Sequence, residues 1–232
     1  MKYLNGETAE YTHGCCDTLV FSKLQALLGG KVGIMVTGSA PIDLNVLTFL
    51  KICFCCPVLE GYGLTETSGA ASITDPKDPV AGHVGGPLKI SKMRLKDVPE
   101  MSYYSTDKPY PRGEVLIKGL NITKGYYKRP DKTAEAFDAE NWFCSGDVGM
   151  VYPNGSVKII DRAKNIFKLS QGEYIAPEKL ENIYILLPLV GQIMICGDSI
   201  RSCIVAIVVL DEGCAKKWAE ENGKGGNLAE LC

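Results

Sequence analysis

Two short apolar runs, residues 32–36 and 57–60, each lead straight into a loop of small residues. The first loop is Thr37-Gly38-Ser39-Ala40-Pro41, and the second is centred on Gly61-Tyr62-Gly63. The segment between them reads as a helix, with Pro41 suited to its first turn. Strand, glycine loop, helix, strand, glycine loop predicts an α/β layer with a mostly parallel sheet, because parallel neighbours need a crossover. Loops that leave consecutive parallel strands lie side by side, and such crevices are where α/β proteins bind ligands.

Upstream, Asp17 or Thr18 is placed to cap a helix in which Leu19, Val20, Leu24, Leu27 and Leu28 recur at helical spacing, and Gly29-Gly30 stops it. The character changes near Lys89. Residues 113–119 form a strand between glycines, and two apolar runs flank Pro153-Asn154-Gly155-Ser156, a hairpin signal. This stretch predicts antiparallel β. Pro177 then opens a helix, two strand-like runs at 190–196 and 203–210 surround Gly197-Asp198-Ser199, and an amphipathic helix follows Ala215. The expected architecture is α/β: a partial parallel sheet plus an antiparallel β subdomain, followed by a small, truncated α+β C-terminal domain. The expected boundaries are 1–88, 89–161 and 162–232.

Lys plus Arg is 25 and Asp plus Glu is 27, a near-balance that gives no electrostatic reason to expect a nucleic-acid partner. A nucleotide site is not excluded by it. No stretch approaches the roughly 18 to 20 apolar residues of a membrane span, since Lys51 and Pro57 interrupt the longest run. There is no apolar signal-peptide region at the start. The ten cysteines include Cys53 and Cys56 in a C-x-x-C spacing. A metal site would want a second pair or a nearby histidine, and the histidines are His13 and His83 alone. Buried reduced thiols in a reducing compartment are therefore expected.

Four segments carry chemistry. In Glu60-Gly61-Tyr62-Gly63-Leu64-Thr65-Glu66 the glycines let backbone approach a flat ligand on which the tyrosine ring could stack. Thr65 offers a hydroxyl and Glu66 a hard carboxylate, a pair suited to a phosphate and its Mg²⁺. The plainer reading is a strand-to-helix turn with a capping threonine. Gly38, Ser39 and Ala40 would let main-chain groups meet a base or phosphate, although many strand-to-helix loops look alike. Ser145-Gly146-Asp147 sets a carboxylate behind a glycine, where it could accept both hydroxyls of a ribose or be an ordinary turn aspartate. In residues 161–168, DRAKNIFK, Arg162, Lys164 and Lys168 sit at a domain junction and either reach a phosphate or form a solvated linker.

In this order and spacing, GSAP, YGLTE, SGD and DRAKNIFK resemble the recurring motifs of the adenylate-forming ligase superfamily. Within it, AGHVGGPL (81–88), GYYKRPDKTAEAF (125–137), PNGSVKIIDR (153–162) and QGEYIAPEKLENIY (171–184) are similar to eukaryotic long-chain fatty acyl-CoA synthetases. The resemblance runs from about Leu19 to the last residue.

That resemblance implies an ATP-dependent long-chain fatty acid–CoA ligase: fatty acid and ATP give acyl-adenylate and pyrophosphate, and CoA then displaces AMP. The ligands implied are fatty acid, ATP or AMP, Mg²⁺ and CoA. By motif, Gly38, Ser39 and Ala40 would line the adenine pocket. Glu60, Gly61 and Tyr62 would border it, with Tyr62 on the base. Thr65 would bond a phosphate and Glu66 would ligate Mg²⁺. Asp147 would hold the ribose with Arg162 nearby, and Lys164 and Lys168 would reach the nucleotide. Asn165 would be the hinge for a domain rotation between half-reactions, and Ser170, Gln171 and Gly172 would approach CoA.

The family's Ser/Thr/Gly-rich phosphate loop is expected upstream of residue 1 and its late lysine beyond Cys232, so stand-alone turnover by these 232 residues is not expected. Residues 1–17 match nothing in the family pattern. Full-length members would associate with the cytosolic face of the endoplasmic reticulum or the outer mitochondrial membrane, whereas this chain alone would be cytosolic. Two other readings stay open: an adenylating ligase for another acid class, and a non-catalytic nucleotide- or partner-binding fragment.

Overall fold

A computed structural model describes residues 14–163, 165–198 and 200–224, with backbone alone for Asp161 and Lys168. Elements follow in the order β1 (Met35–Thr37), β2 (Val58–Tyr62), β3 (Ser72–Ile73), β4 (Gly86–Pro87), β5 (Ser91–Lys96), β6 (Arg112–Gly119), β7 (Phe143–Val151), β8 (Val157–Arg162), β9 (Phe167–Lys168), β10 (Tyr174–Ile175), β11 (Val190–Gly197) and β12 (Ile204–Leu210). The helices are α1 (Ser22–Leu27), α2 (Leu44–Phe54), α3 (Pro130–Ala136), α4 (Pro177–Tyr184) and α5 (Glu212–Glu221). The chain divides into two compact units, 1–160 and 161–232.

In the first unit, one sheet has the order β1-β2-β3-β4 and a second has β5-β6-β7-β8. β1 and β2 are parallel, with Thr37 opposite Glu60, and α2 is their crossover. The β3 and β4 partners are antiparallel, so the sheet is mixed. The second sheet is antiparallel from β5 to β7. Val115, Leu116 and Ile117 of β6 are all fully buried, which marks a central strand covered on both faces. Val115 and Ile117 pack with Tyr62, Ala71 and Val157 in one apolar cluster, which joins the two sheets.

Several local expectations shift. The first helix begins before Asp17, passes through a π-helical turn at Asp17–Phe21 and becomes α1, so Asp17 lies inside it rather than capping it. The first strand is Met35–Thr37 rather than 32–36. Pro41 is not in the first turn of α2. Asp43 caps that helix, its Oδ1 accepting from Asn45 N at 2.9 Å and Val46 N at 3.1 Å. Two satisfied orphan amides outweigh the ring's preset φ. Gly61 and Tyr62 do not break β2 but belong to it, and the break falls at Gly63. There a Cβ would lie 2.0 Å from the Gly69 carbonyl oxygen, so the following turn closes only over a glycine.

The 153–156 hairpin forms. Gly155 takes φ +83°, its N–H donates to Tyr152 O at 2.9 Å, and Tyr152 N donates to Ser156 O at 2.9 Å. That is a type I turn closed by a left-handed glycine.

In the second unit, β9 pairs with β10 and β11 with β12, both antiparallel. Pro177 opens α4 as expected. The Glu181 carboxylate of α4 accepts from Ile195 N at 2.7 Å, fixing the helix to β11. The last helix starts before Ala215, capped by Asp211 through Cys214 N at 2.9 Å. Ser199, in the expected turn, lies outside the described residues. Among the described residues no helix is long and apolar enough to cross a membrane. Cys53 and Cys56 are buried, and burial pushes both thiols up. Cys15, Cys16 and Cys203 are exposed instead, a departure from the expected burial.

Candidate functional site

The two glycine loops lie against one another at the carboxyl ends of β1 and β2. A Cβ on Gly38 would stand 3.0 Å from the Gly61 carbonyl oxygen, so the backbones are in close approach. Ser39, next in the loop, has φ +70°. A non-glycine residue in the left-handed region carries strain that the surrounding structure must hold, and such positions concentrate where ligands bind. Ala40 and Pro41 continue the loop towards the Asp43 cap.

Beyond Gly63 the chain makes a single 3₁₀ turn at Thr65–Thr67. The hydroxyl that stabilises it belongs to Thr67, which accepts from Leu64 N at 2.8 Å and donates to Leu64 O at 3.0 Å. Thr65 is thus released from the capping role that the plainer reading gave it, and it stays exposed. Glu66 is half-buried, and its Oε1 accepts from the Tyr126 hydroxyl at 2.7 Å. That bond is the main cause holding the Tyr126 phenol up at about 12. The main chain repeats the contact: Thr123 N donates to Glu66 O at 2.8 Å.

Asn121 completes this clamp. Its Nδ2 donates to Thr67 O at 3.1 Å and Ala70 O at 2.9 Å, and its Oδ1 accepts from Ser91 Oγ at 3.0 Å. Ser68 Oγ donates to Asn121 O at 2.8 Å. Residues 64–70 are therefore held by a segment some fifty positions later in the chain.

Ser145-Gly146-Asp147 lies on β7 where the register with β6 slips: Leu116 faces Cys144 but Glu114 faces Val148. The extra residues make a β-bulge, a feature that re-aims side chains. Ser145 Oγ donates to Val115 O at 2.6 Å, Gly146 N donates to Glu114 Oε1 at 3.1 Å, and Asp147 N donates to Ser145 Oγ at 3.1 Å. The bulge turns Asp147 inward, where Oδ2 accepts from the Tyr62 hydroxyl at 2.6 Å. Both residues are buried, Tyr62 within the apolar cluster. The two residues assigned by motif to base and ribose are thus bonded to each other.

Behind the loops lies a set of ionisable groups that the motifs did not single out together. Glu60, buried on β2, accepts through Oε1 from Gly82 N at 3.2 Å. Lys51 of α2 is 4% exposed, with its charge within electrostatic reach of Glu60 and Asp78. His83 is 3% exposed. Its Nδ1 accepts from Gly85 N at 3.0 Å, so the proton of the neutral ring sits on Nε2, 3.2 Å from Asp78 Oδ2. That contact is too bent for a good hydrogen bond. Burial pushes Lys51 and His83 down and Glu60 up.

In the second unit, Asn165 Nδ2 donates to Glu178 Oε1 at 2.9 Å, and Asn165 N donates to Arg162 O at 3.0 Å. Arg162 is exposed. Lys164 lies outside the described residues, and Lys168 is described by its backbone in β9. Ser170, Gln171 and Gly172 form the tight turn from β9 to β10. Gly172 has φ +93° and donates to Leu169 O at 2.9 Å, while Gln171 Nε2 donates to Ser202 O at 3.2 Å.

Sequence reasoning missed Lys51, His83, Asn121 and Tyr126. Lys51 had a signal: a lone lysine in the longest apolar run is either a break in that run or a buried charge with partners. Tyr126 stood in a quoted segment, but nothing local tells which carboxylate its hydroxyl will meet sixty residues away.

A fatty acyl-CoA synthetase A of Dictyostelium discoideum is 53% identical over 195 residues, 84% of this chain and 29% of that protein. A peroxisomal long chain acyl-CoA synthetase 6 of Arabidopsis thaliana is 50% identical over 230 residues, 99% of this chain and 32% of that one. The chain thus spans about a third of the length of these relatives. Among solved structures, the A domain of a carboxylic acid reductase from Segniliparus rugosus, in complex with AMP and a co-purified carboxylic acid, superposes with a TM-score of 0.75. It is 34% identical and covers 93% of this chain and 36% of its own. The model of the AMP-binding enzyme family matches residues 7–127; it thus reaches into the 1–17 stretch that was expected to match nothing, spans more than half of the sequence and all of both glycine loops, and the chain belongs to that family.

Proposed function

We propose that this chain carries the nucleotide-contacting part of a long-chain fatty acid–CoA ligase, which joins ATP, a fatty acid and CoA through an acyl-adenylate. The observation that supports it most is the meeting of motifs from distant parts of the chain. The loops after β1 and β2 touch through Gly38 and Gly61, and the bulge on β7 brings Asp147 to Tyr62 across 85 residues.

In this reading Gly38, Ser39 and Ala40, with Glu60, Gly61 and Tyr62, form the wall against which adenine rests, largely by backbone. Asp147 accepts from the ribose hydroxyls once its bond to Tyr62 is shared or exchanged. Thr65, exposed on the 3₁₀ turn, donates to a phosphate oxygen. By motif, Arg162, Lys164 and Lys168 would bring positive charge to a phosphate, Asn165 would serve as the pivot, and Ser170, Gln171 and Gly172 would serve the CoA step.

The residues present suit a magnesium ion held jointly with phosphate. Among the described residues no group of three or more ligating side chains would hold a metal alone. Mg²⁺ needs no such cage, since it is commonly bound by one or two carboxylates, waters and the substrate's phosphates. Glu66 offers one hard carboxylate, of which the Tyr126 bond occupies Oε1. When bound, the ion would neutralise charge building on the phosphates. Tyr126 would keep the carboxylate oriented without competing for Oε2.

Titrating AMP and Mg²⁺–ATP into the chain tests the reading. Binding of both is expected, with Asp147→Asn weakening both nucleotides and Glu66→Gln weakening Mg²⁺–ATP more than AMP. No binding of either would overturn it. Palmitoyl-CoA formation from palmitate, ATP and CoA is not expected of these 232 residues alone, and its detection would overturn that expectation. We further propose the three-part division 1–88, 89–161 and 162–232, and a cytosol-facing location.

A further inference from the structure

The buried ionisable groups behind the site connect the two nucleotide loops to each other. Lys51 is on α2, the helix that the Gly38–Ala40 loop feeds. Glu60 is on β2, the strand that runs into Gly61-Tyr62. The segment 78–85 meets both, Gly82 at Glu60 and Asp78 electrostatically at Lys51. Gly82 takes φ +88° and lies so close to the start of α2 that a Cβ on it would stand 2.9 Å from Leu44 Cδ2. Its N–H meanwhile holds the Glu60 carboxylate at 3.2 Å. The same segment is pinned to the second sheet by Val84 N donating to Val157 O at 2.8 Å and Val157 N donating to Gly85 O at 2.9 Å. Glu60 is fixed from its main chain too: its N–H donates to Thr74 Oγ1 at 3.0 Å and its carbonyl accepts from Thr74 N at 2.9 Å.

We propose that Lys51 and His83 are positioning residues for the nucleotide site, acting through Glu60 and Asp78 to fix the loop after β1 against the loop after β2. The proposal rests on the nucleotide reading above. None of these side chains need touch a ligand. Their role is to keep Gly38 and Gly61 in the backbone contact that forms the adenine wall.

Chemistry explains why charge rather than apolar packing does this. A buried carboxylate left unpaired is costly, so Glu60 anchors to whatever keeps a positive charge and an N–H donor beside it. Lys51 supplies the first and Gly82 the second. His83 faces Asp78 and, electrostatically, Lys51, and its ring meets Tyr152 edge-on at 6.3 Å with Tyr110 packed behind Tyr152. A proton added to Nδ1 would remove the acceptor for Gly85 N and place a second cation near Lys51. Buried polar networks of this kind cost most when partly satisfied.

The sequence offers a clean spectroscopic handle, because the chain has two histidines. In the 232-residue chain, isotope-labelled imidazole signals followed from pH 5 to 8.5 give the His83 titration, assigned by its loss in His83→Gln. AMP affinity is measured over the same range. In the wild type, AMP affinity is expected to fall as His83 takes up its proton. At pH 8, His83→Gln and Lys51→Met should each weaken AMP by about fivefold or more, a modest coupling between neighbouring sites. Lys51→Arg should restore much of the affinity, and His83→Gln should remove the histidine-linked part of the pH profile. Unchanged AMP affinity in folded Lys51→Met and His83→Gln, with the wild type binding, would overturn the positioning role and leave the nucleotide reading standing. Should the variants not fold, a wild-type affinity flat through the His83 titration would overturn it equally. A wild type that binds neither AMP nor ATP would overturn the nucleotide reading, and the positioning role with it.

Discussion

A single hydrogen bond, Tyr62 hydroxyl to Asp147, carries most of what distinguishes this site from an ordinary strand end. The carboxylate is buried and accepts from a phenol of the other sheet. Tyr62→Phe keeps the ring and its packing but takes that donor away. It should cost about 1–3 kcal/mol, the penalty for leaving a buried polar group short of a partner. Urea unfolding of the variant checks it, and a loss below about 0.5 kcal/mol would mean that the remaining partners of Asp147 suffice. The residue types were legible: a tyrosine between glycines and an aspartate after one were both picked out as ligand groups. Their pairing was not, because it depends on a register slip between β6 and β7 that no local pattern of SGD encodes.

At the level of elements, what could be read was whatever depends on neighbours along the chain. Asn154-Gly155 made its hairpin and Pro177 opened its helix, since a turn or a first helical turn is decided within four residues. Failures came where a remote group changed the local balance. Gly61 and Tyr62 stay in β2 because β3 pairs with them, Ile73 opposite Gly61 and Ser72 opposite Tyr62. Asp43 displaced Pro41 because a side-chain acceptor two residues on satisfied two amides. β6 is the element on which the first unit depends most. Leu116→Ala should lower stability by about 2–5 kcal/mol, the range for large-to-small changes at fully buried sites. Thermal denaturation of the variant measures it. Gly63→Ala should do comparable harm for a different reason: its Cβ would overlap a carbonyl oxygen, so the turn that carries Thr65 and Glu66 must open. Weakened Mg²⁺–ATP binding in a still-folded variant is the expected sign.

Across the whole chain, the two tryptophans fall one to each unit, Trp142 and Trp218, so single-tryptophan variants report each unit's unfolding separately. Among the described residues most of the buried apolar side chains come before 160, whereas the second unit contributes Leu169, Ile195, Ala215 and Ala219. Apolar burial sets the scale of stability, so the Trp218 signal should be lost at lower urea than the Trp142 signal. Coincident transitions would show that the units unfold as one. Stability should also depend on pH through His83. Burial holds its folded value below the ordinary one near 6.5, so the unfolded chain binds the proton more readily. The contribution is present above about pH 6.5 and is lost as pH falls below it. Melting temperature should drop on acidification in the wild type, and by less in His83→Gln.

The clamp around Asn121 has a last consequence, for recombination between relatives. Thr67, Ala70 and Ser91 answer to one side chain at 121, and Glu66 answers to Thr123 and Tyr126. A chimera whose crossover falls between residues 70 and 119 would take the two halves of this clamp from different parents. One whose junctions lie before 60 and after 133 inherits it whole. Residues 64–126 are therefore the shortest stretch of this unit that carries the Thr65–Glu66 turn together with these partners.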